Sequence, residues 1–454
     1  MQTNKFNIAK YLYIAILLLC IVIREPIVQN IILILSLFLL NYIIIKKCKI
    51  NNKLLIVISI CIILLNLILM YISYYQILNL GFEDGLARDY VFKINYWDDY
   101  HYYYESEILI NYWLDGNFMK WLSGIAPTKL FYGYYNIFVI YNGILKILIG
   151  NNLISLIIFK LQFTIGSIYL LYLISKEYLN YKFAIIPVIL MNIFPAYIQS
   201  NICLIRDNLI LFFSLLIFYK IVFKKENIFR LSMYIIFLIA LRSYVAIFII
   251  ILSISYRYVI LEKLKIKTLI AYFFISLLLI LLIGLFLEKQ GYGFLALEKM
   301  RKIWENTKTM EWTTKSVLAP ESLITYNLKS LFLGNRISSS QYFSPFIYDW
   351  LIGLSYLFIP IFCLPTLMVF ISNDKVIRQF NSGIFIMAFI IHYLIIFVFG
   401  WSVPRLFLPW IWGQFILFTY LVKWLWKNFN KYFVISIIMY YLCFVAIVSV
   451  IYIK

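Results

Sequence analysis

The most chemically suggestive part of the sequence is an acidic and aromatic segment. Residues 96–107 read Tyr-Trp-Asp-Asp-Tyr-His-Tyr-Tyr-Tyr-Glu-Ser-Glu, and they contain Asp98, Asp99, His101 and Tyr102. Adjacent carboxylates can act as a general base or bind a divalent cation, and both roles stay open. Aromatic side chains beside them are suited to stacking on sugar rings or to lying at a membrane interface. We therefore predict a functional site with Asp98 and Asp99 as catalytic candidates, and slightly favour Asp99 as the base.

Three arginines and one lysine are the cationic candidates. Arg206 is followed directly by Asp207, and Arg242 and Arg405 also fall at the ends of apolar runs. A guanidinium group can hold a phosphate through two parallel hydrogen bonds, so we predict that these arginines share a phosphate-binding site. The alternative is that each arginine only extends to water at a membrane interface. Lys160 lies inside an apolar run, where an ionisable group is costly and is therefore a functional candidate.

The composition of the chain indicates which elements must position these residues. Of 454 residues, 64% are hydrophobic and only 13% are charged, whereas soluble domains are nearer half apolar and a quarter charged. The apolar runs are long and continuous, which favours membrane-spanning helices over the alternating strands of a barrel. The six cysteines are scattered without metal-ligand spacing, so we interpret them as core residues. We predict an all-α polytopic membrane protein, organised as a single domain over residues 1–454.

The predicted topology has about 13 transmembrane helices, since each span needs about 20 apolar residues. The predicted spans are 7–23, 27–45, 54–79, 153–173, 183–199, 208–223, 229–241, 243–261, 268–287, 346–371, 382–400, 406–422 and 432–452. With residues 130–150 as a re-entrant or surface helix, the basic residues of the short loops gather mostly on one side, which we take as cytoplasmic. The net charge of +20 then reflects topology and not nucleic-acid binding. Two long loops, 80–152 and 288–345, are expected outside, with short surface helices.

The order of these motifs resembles the GT-C superfamily of integral membrane glycosyltransferases. The likeness is to bacterial members related to protein mannosyltransferases and aminoarabinose transferases. The stretches that carry it are Asp98-Asp99-Tyr100-His101-Tyr102, Tyr132-Gly133-Tyr134-Tyr135, Gly150-Asn151, Phe194-Pro195, Arg206-Asp207, and Arg405 with Pro409. The acidic loop follows the third predicted span here, whereas it usually follows the first span in the family. O-antigen and capsule polymerases, which resemble the same superfamily, therefore stay open as an alternative.

The resemblance implies a specific activity and location. It implies a multi-pass protein of the bacterial cytoplasmic membrane that moves a sugar from a polyprenyl-phosphate-linked donor to a glycan, lipid or protein acceptor outside. Arg206, Arg242, Arg405 and Lys160 would bind the donor phosphate, and Asp207, His101 and Tyr102 would contact substrate. No cofactor is implied with certainty, and a divalent cation remains open. An alternative of another class is a flippase for lipid-linked glycans, although the chain lacks the repeated halves of many transporters.

Overall fold

The computed structural model describes most of the first 257 residues and one later helix. The described ranges are 2–48, 50, 52–87, 98–125, 131–224, 227–257 and 404–430, with isolated positions between 347 and 355 and between 432 and 443. Every regular element within these ranges is helical, in agreement with the predicted all-α class. The loop predicted at 288–345 and the predicted spans 268–287 and 382–400 lie outside the described residues, as do most of 346–371 and 432–452.

The described helices are numbered here in chain order. They are α1 (Gln2–Val22), α2 (Pro26–Lys47), α3 (Lys53–Asn79), α4 (Asp98–Tyr112), α5 (Phe118–Leu122), α6 (Ile137–Ile149), α7 (Leu153–Tyr178), α8 (Ile185–Ile193), α9 (Pro195–Ile202), α10 (Asp207–Phe223), α11 (Ile228–Ser255) and α12 (Leu408–Asn428). A π-helical turn, Trp113–Asn117, joins α4 to α5, and a 3-10 turn, Pro404–Phe407, precedes α12.

Asparagine side chains begin many of these helices. A helix leaves its first backbone N–H groups without partners, and an asparagine just before the helix can accept one of them. This occurs ahead of α3, α6, α7 and α11, at Asn52, Asn136, Asn152 and Asn227. At α2 the Glu25 carboxylate takes the same place and accepts from Val28 N at 2.7 Å, with Pro26 in the first turn. The polar residues between apolar runs therefore set the helix boundaries.

Within the described residues, four helices are long and apolar enough to cross a bilayer. They are Pro26–Lys47, Lys53–Asn79, Leu153–Tyr178 and Arg405–Asn428, and the bent pair α8–α9 would make five. Large apolar side chains on the first two, such as Ile31, Leu35 and Ile68, are more than half exposed, as expected of a surface that lipid covers. These features are compatible with a membrane protein. Within the described residues they give fewer candidate spans than the number expected over the whole chain.

The structure differs from the predicted spans at two places. The span predicted at 183–199 is broken at Phe194, and α8 and α9 meet there at 66° because Pro195 begins a new helix. The two short spans predicted around Arg242 form one run, α11, in which Arg242 itself has an extended backbone (φ −163°, ψ 95°). Helix α6, within the segment 130–150, has 13 residues, fewer than the length a span needs.

A small polar cluster joins three of the long helices inside the bundle. The Tyr169 hydroxyl of α7 donates to Asn41 Oδ1 of α2 at 2.6 Å and lies 3.1 Å from Ser59 Oγ of α3. Asn41 Nδ2 donates to the same Ser59 oxygen at 3.1 Å. All three side chains are buried. Because buried polar groups are costly unless they bond to one another, this cluster fixes how the three helices pack.

We expect Tyr169→Phe to destabilise the protein by about 1 kcal/mol, because the loss of one hydroxyl leaves Asn41 without its short hydrogen bond. Tyr75→Phe is the matched control, since Tyr75 lies on the exposed face of α3 and should tolerate the same change. Equilibrium unfolding of the purified protein in detergent measures both variants. Equal stability of the two variants would contradict a structural role for the cluster.

Candidate functional site

The first helix turn of α4 meets the turn that precedes α12. Arg405 Nη1 lies 2.5 Å from Asp98 Oδ2, so the two side chains form a close ion pair. The other Asp98 oxygen accepts a hydrogen bond from the Tyr132 hydroxyl. Asp98 and Arg405 each keep roughly a fifth of their side-chain surface exposed. Asp98 is therefore both held in place and accessible to a ligand.

Arg206 lies against a pair of stacked aromatic rings. The rings of Tyr102 and Tyr132 have centroids 4.3 Å apart and planes 9° from parallel. The Arg206 guanidinium carbon is 5.9 Å from the Tyr102 centroid and 5.8 Å from the Tyr132 centroid, within the range of cation–π attraction. In the described part of the chain, no carboxylate forms an ion pair with Arg206. Arg206 is thus positioned by aromatic contacts and not by an acidic partner.

The third arginine contacts the aspartate that begins α10. Arg242 Nη1 lies 3.0 Å from Asp207 Oδ1, and the break in α11 occurs at this same arginine. Asp207 is buried, and its carboxylate also stands close enough to Arg206 and Arg405 for electrostatic attraction. A negative charge in the first turn of a helix is itself favourable. The structure therefore brings the three predicted arginines together around Asp207 and Asp98.

Lys160 occupies a supporting position, which differs from the predicted ligand-binding position. Its ammonium group is completely buried and donates to the carbonyl oxygens of Ser200 (2.6 Å), Cys203 and Ile205 (3.0 Å). An ammonium has three donors, so none is left for a phosphate. Lys160 instead fixes the turn between α9 and α10, which carries Arg206. The reason is that a charged group inside an apolar helix needs hydrogen-bond partners close by, and here backbone carbonyls supply them.

Asp99, the other catalytic candidate, is buried and bonded to the backbone. Its side chain is 3% exposed. Oδ2 accepts from Ala87 N at 3.1 Å and Oδ1 accepts from Tyr100 N at 2.9 Å. Burial raises the pKa of Asp99 to about 7, although the two N–H groups act in the opposite direction. Asp99 therefore ties α4 to the segment that follows α3.

Glu105 and Tyr132 are parts of the site that were not among the predicted site residues. The Glu105 carboxylate accepts from Tyr132 N at 3.0 and 3.1 Å and from Gly133 N at 3.0 Å. Glu105 lies about one turn along α4 from Tyr102. Its bonds to the backbone of Tyr132 and Gly133 form a clamp that holds Tyr132 where its ring stacks on that of Tyr102. Gly133 has φ +83°, a conformation that favours glycine. The sequence signals were the acidic segment 96–107, which contains Glu105, and the Tyr-Gly-Tyr-Tyr stretch, which begins with Tyr132.

His101 lies beside this clamp in an aromatic wall. Its ring stacks on Phe131 with centroids 4.4 Å apart and planes 14° from parallel. Its Nδ1 is 4.0 Å from Glu105 Oε1. Its ring is close to perpendicular to that of Tyr132, with the two centroids 6.2 Å apart. His101 is partly exposed, so it borders the site together with Phe131. The rings of His101 and Tyr102, the predicted substrate contacts, thus both lie against the ring of Tyr132.

The arrangement as a whole can bind an anion next to an accessible carboxylate. Within the part of the chain that the structure describes, Arg242 and Arg405 are paired with aspartates and Arg206 is not, so the cluster has positive charge available for a ligand. Within the described ranges, no group of three or more histidine, cysteine or acidic side chains is placed to hold a metal ion. The divalent cation considered from the sequence therefore remains a prediction.

Comparison of the chain with protein-family models, with curated proteins and with solved structures found no match. The class that its own features define is a helical protein with a compact arginine–aspartate site and, among the described residues, four or five candidate membrane spans.

The raised pKa of Asp99 predicts a pH-dependent stability. The pKa is 3.8 for an ordinary aspartate and about 7 in the folded protein, so the folded state binds more protons between these values. The contribution of Asp99 to stability is therefore greatest below about pH 4 and decreases as the pH rises to about 7. We therefore expect the thermal midpoint of Asp99→Asn to rise relative to that of the wild type as the pH is raised from about 4 to about 7.

Glu83→Gln is the control for that measurement, because Glu83 is an exposed carboxylate nearby and its variant should follow the wild-type curve. If the midpoints of Asp99→Asn and the wild type change in parallel from pH 4 to pH 7, the assignment of a protonated, buried Asp99 is wrong.

Proposed function

We propose that this chain is a membrane glycosyltransferase that moves a sugar from a polyprenyl-phosphate-linked donor to a glycan, lipid or protein acceptor on the external face of the membrane. The observation that carries the proposal is the position of Asp98, which contacts the Arg405 side chain and the Tyr132 hydroxyl. The Tyr132 ring in turn lies against the guanidinium of Arg206. A base and a phosphate site are the two things that such a transfer requires.

We assign Asp98 as the general base, in preference to Asp99. A base must be reached by the acceptor hydroxyl, and Asp98 keeps about a fifth of its side chain exposed. Asp99 is buried, with each of its oxygens accepting from a backbone N–H group. Their opposite surroundings agree with the geometry of a helix, in which successive side chains point about 100° apart. Asp99 then acts by positioning the start of α4.

Arg206 is assigned as the principal phosphate ligand. Its guanidinium has no acidic partner in the described chain, so a phosphate would not have to displace a carboxylate there. Arg405 would contribute from the opposite side while it orients Asp98. Arg242 is paired with buried Asp207, so its role is to hold Asp207 in position. An arginine fork suits phosphate oxygens better than a lysine ammonium does.

The reaction follows from these roles. Asp98 accepts the proton of the acceptor hydroxyl as the hydroxyl oxygen forms a bond to the anomeric carbon of the donor sugar. The bond between that carbon and the phosphate oxygen breaks, and the polyprenyl phosphate leaves with the electron pair. Arg206 compensates the charge that develops on the departing phosphate. Stacking of the sugar on the wall formed by His101, Phe131 and Tyr132 would orient it for attack.

The proposal predicts that Asp98→Asn abolishes transfer while Asp99→Asn largely retains it. Asparagine has the shape of aspartate but cannot take the proton, so a loss of about 10²-fold or more is expected at position 98. The assay is the release of polyprenyl phosphate from a panel of polyprenyl-phosphate hexoses, with protein in liposomes and cell-envelope extract as the source of acceptors. Polyprenyl phosphate is released whichever sugar the donor carries, so the assay does not require the sugar to be known.

Asp99→Asn is the matched control, because it makes the same chemical change one residue away. Wild-type release by Asp98→Asn would remove Asp98 as the base. Movement of the lipid-linked sugars across the membrane without release of polyprenyl phosphate, by the wild type and both variants, would favour the flippase.

A further inference from the structure

The segment between α4 and α6 carries a band of exposed apolar side chains outside the candidate spans. Leu114 and Met119 are each 72% exposed, and Phe131 is 69% exposed. The other large members of the band are Phe118, Leu122, Ile125 and Tyr135. Phe118, Met119 and Leu122 share one face of the short helix α5, since residues one turn apart lie on the same side. Patches of this kind usually mark an interaction surface.

The backbone of this segment is fixed by aromatic contacts and hydrogen bonds. Trp121 packs on Trp113 with ring centroids 5.0 Å apart and stacks on Tyr135 at 5.8 Å. Trp121 Nε1 donates to Tyr134 O at 3.2 Å, and the Tyr135 hydroxyl donates to Trp121 O at 3.0 Å. Tyr112 OH donates to Ile125 O. The apolar side chains are therefore displayed by a supported platform.

We propose that residues 113–125, together with Phe131 and Tyr135, dock into the interfacial layer of a lipid bilayer on the side that holds Asp98. The segment lies in the connection between two candidate spans, α3 and α7, so a bilayer surface is within reach of it. Tryptophan and tyrosine with one apolar and one polar end are the residues typical of that layer.

The exposed lysine of the segment is placed to suit a lipid occupant. Lys120 is exposed next to Met119, and its long side chain can extend toward headgroup phosphates while the apolar face enters the leaflet. Asp115, also exposed, sits beside the helix break at Gly116, where φ is +79°.

The docking would place the site at the edge of the leaflet. Phe131 stacks on His101 and directly precedes Tyr132, whose hydroxyl reaches Asp98. A lipid-borne substrate could then reach Asp98 by moving sideways in the bilayer, without leaving it. The docking surface itself does not rest on the proposed function, because it requires only lipid contact and no transfer chemistry.

Nitroxide labels at Met119→Cys, Leu122→Cys and Asp115→Cys test the docking, with full-length protein in vesicles of phosphatidylethanolamine and phosphatidylglycerol and with exposed Cys61 and Cys443 replaced by serine. We expect the labels at 119 and 122 to collide several-fold more with oxygen, which concentrates in lipid, than with a water-soluble nickel chelate. The label at 115 should show the reverse ratio. Aqueous ratios at all three positions would overturn the proposal.

A second measurement uses the unmodified protein. A phospholipid with a photoreactive diazirine near the top of its acyl chain should attach to peptides that contain residues 113–125. Absence of adducts there, with adducts on Lys53–Asn79 as the internal control, would also contradict the docking. Protection of the labels at 119 and 122 from both reagents would assign the band to a protein partner or second copy and would equally reject the lipid assignment.

Discussion

The buried ammonium of Lys160 is the interaction on which the arrangement of the site depends. It is completely enclosed and bonded to three carbonyls of the turn between α9 and α10. A charge in an apolar interior is costly unless it is fully satisfied, so these bonds are also what keeps that turn in its shape. The turn ends at Arg206, and Asp207 begins α10 from it. The positions of both residues therefore follow from one lysine on α7.

The charge balance around this turn explains why the cluster suits an anion. Arg405 is held by Asp98 and Arg242 by Asp207, and these two pairs draw together α4, α10, α11 and the turn before α12. Among the described residues of this cluster, Arg206 is the arginine without an acidic partner, and the stacked rings of Tyr102 and Tyr132 support it. Removing an acid partner from a buried pair is costly, whereas a ligand that meets Arg206 leaves both pairs intact. Substrate binding and structural integrity can thus be separated in this cluster.

The sequence was informative wherever one residue type decides the local structure. Long apolar runs predicted helices, and asparagines at their starts mark where α3 and α7 begin. The grouping of Arg206, Arg242 and Arg405 was expected from their positions at the ends of apolar runs. By contrast, the choice between Asp98 and Asp99 depends on contacts from distant parts of the chain, such as Arg405 and Ala87. The supporting position of Lys160 likewise depends on carbonyls about forty residues away, which no local pattern shows.

Direct binding of polyprenyl phosphate tests the central claim that this arginine cluster holds a lipid phosphate. Native mass spectrometry of the full-length protein released from detergent would compare polyprenyl phosphate with the matching polyprenol for the wild type, Arg206→Ala and Arg206→Lys. The account predicts that the wild type prefers the phosphate, that Arg206→Ala loses this preference, and that Arg206→Lys recovers only part of it, because an ammonium lacks the planar fork. Equal preference for the phosphate in all three proteins would contradict it.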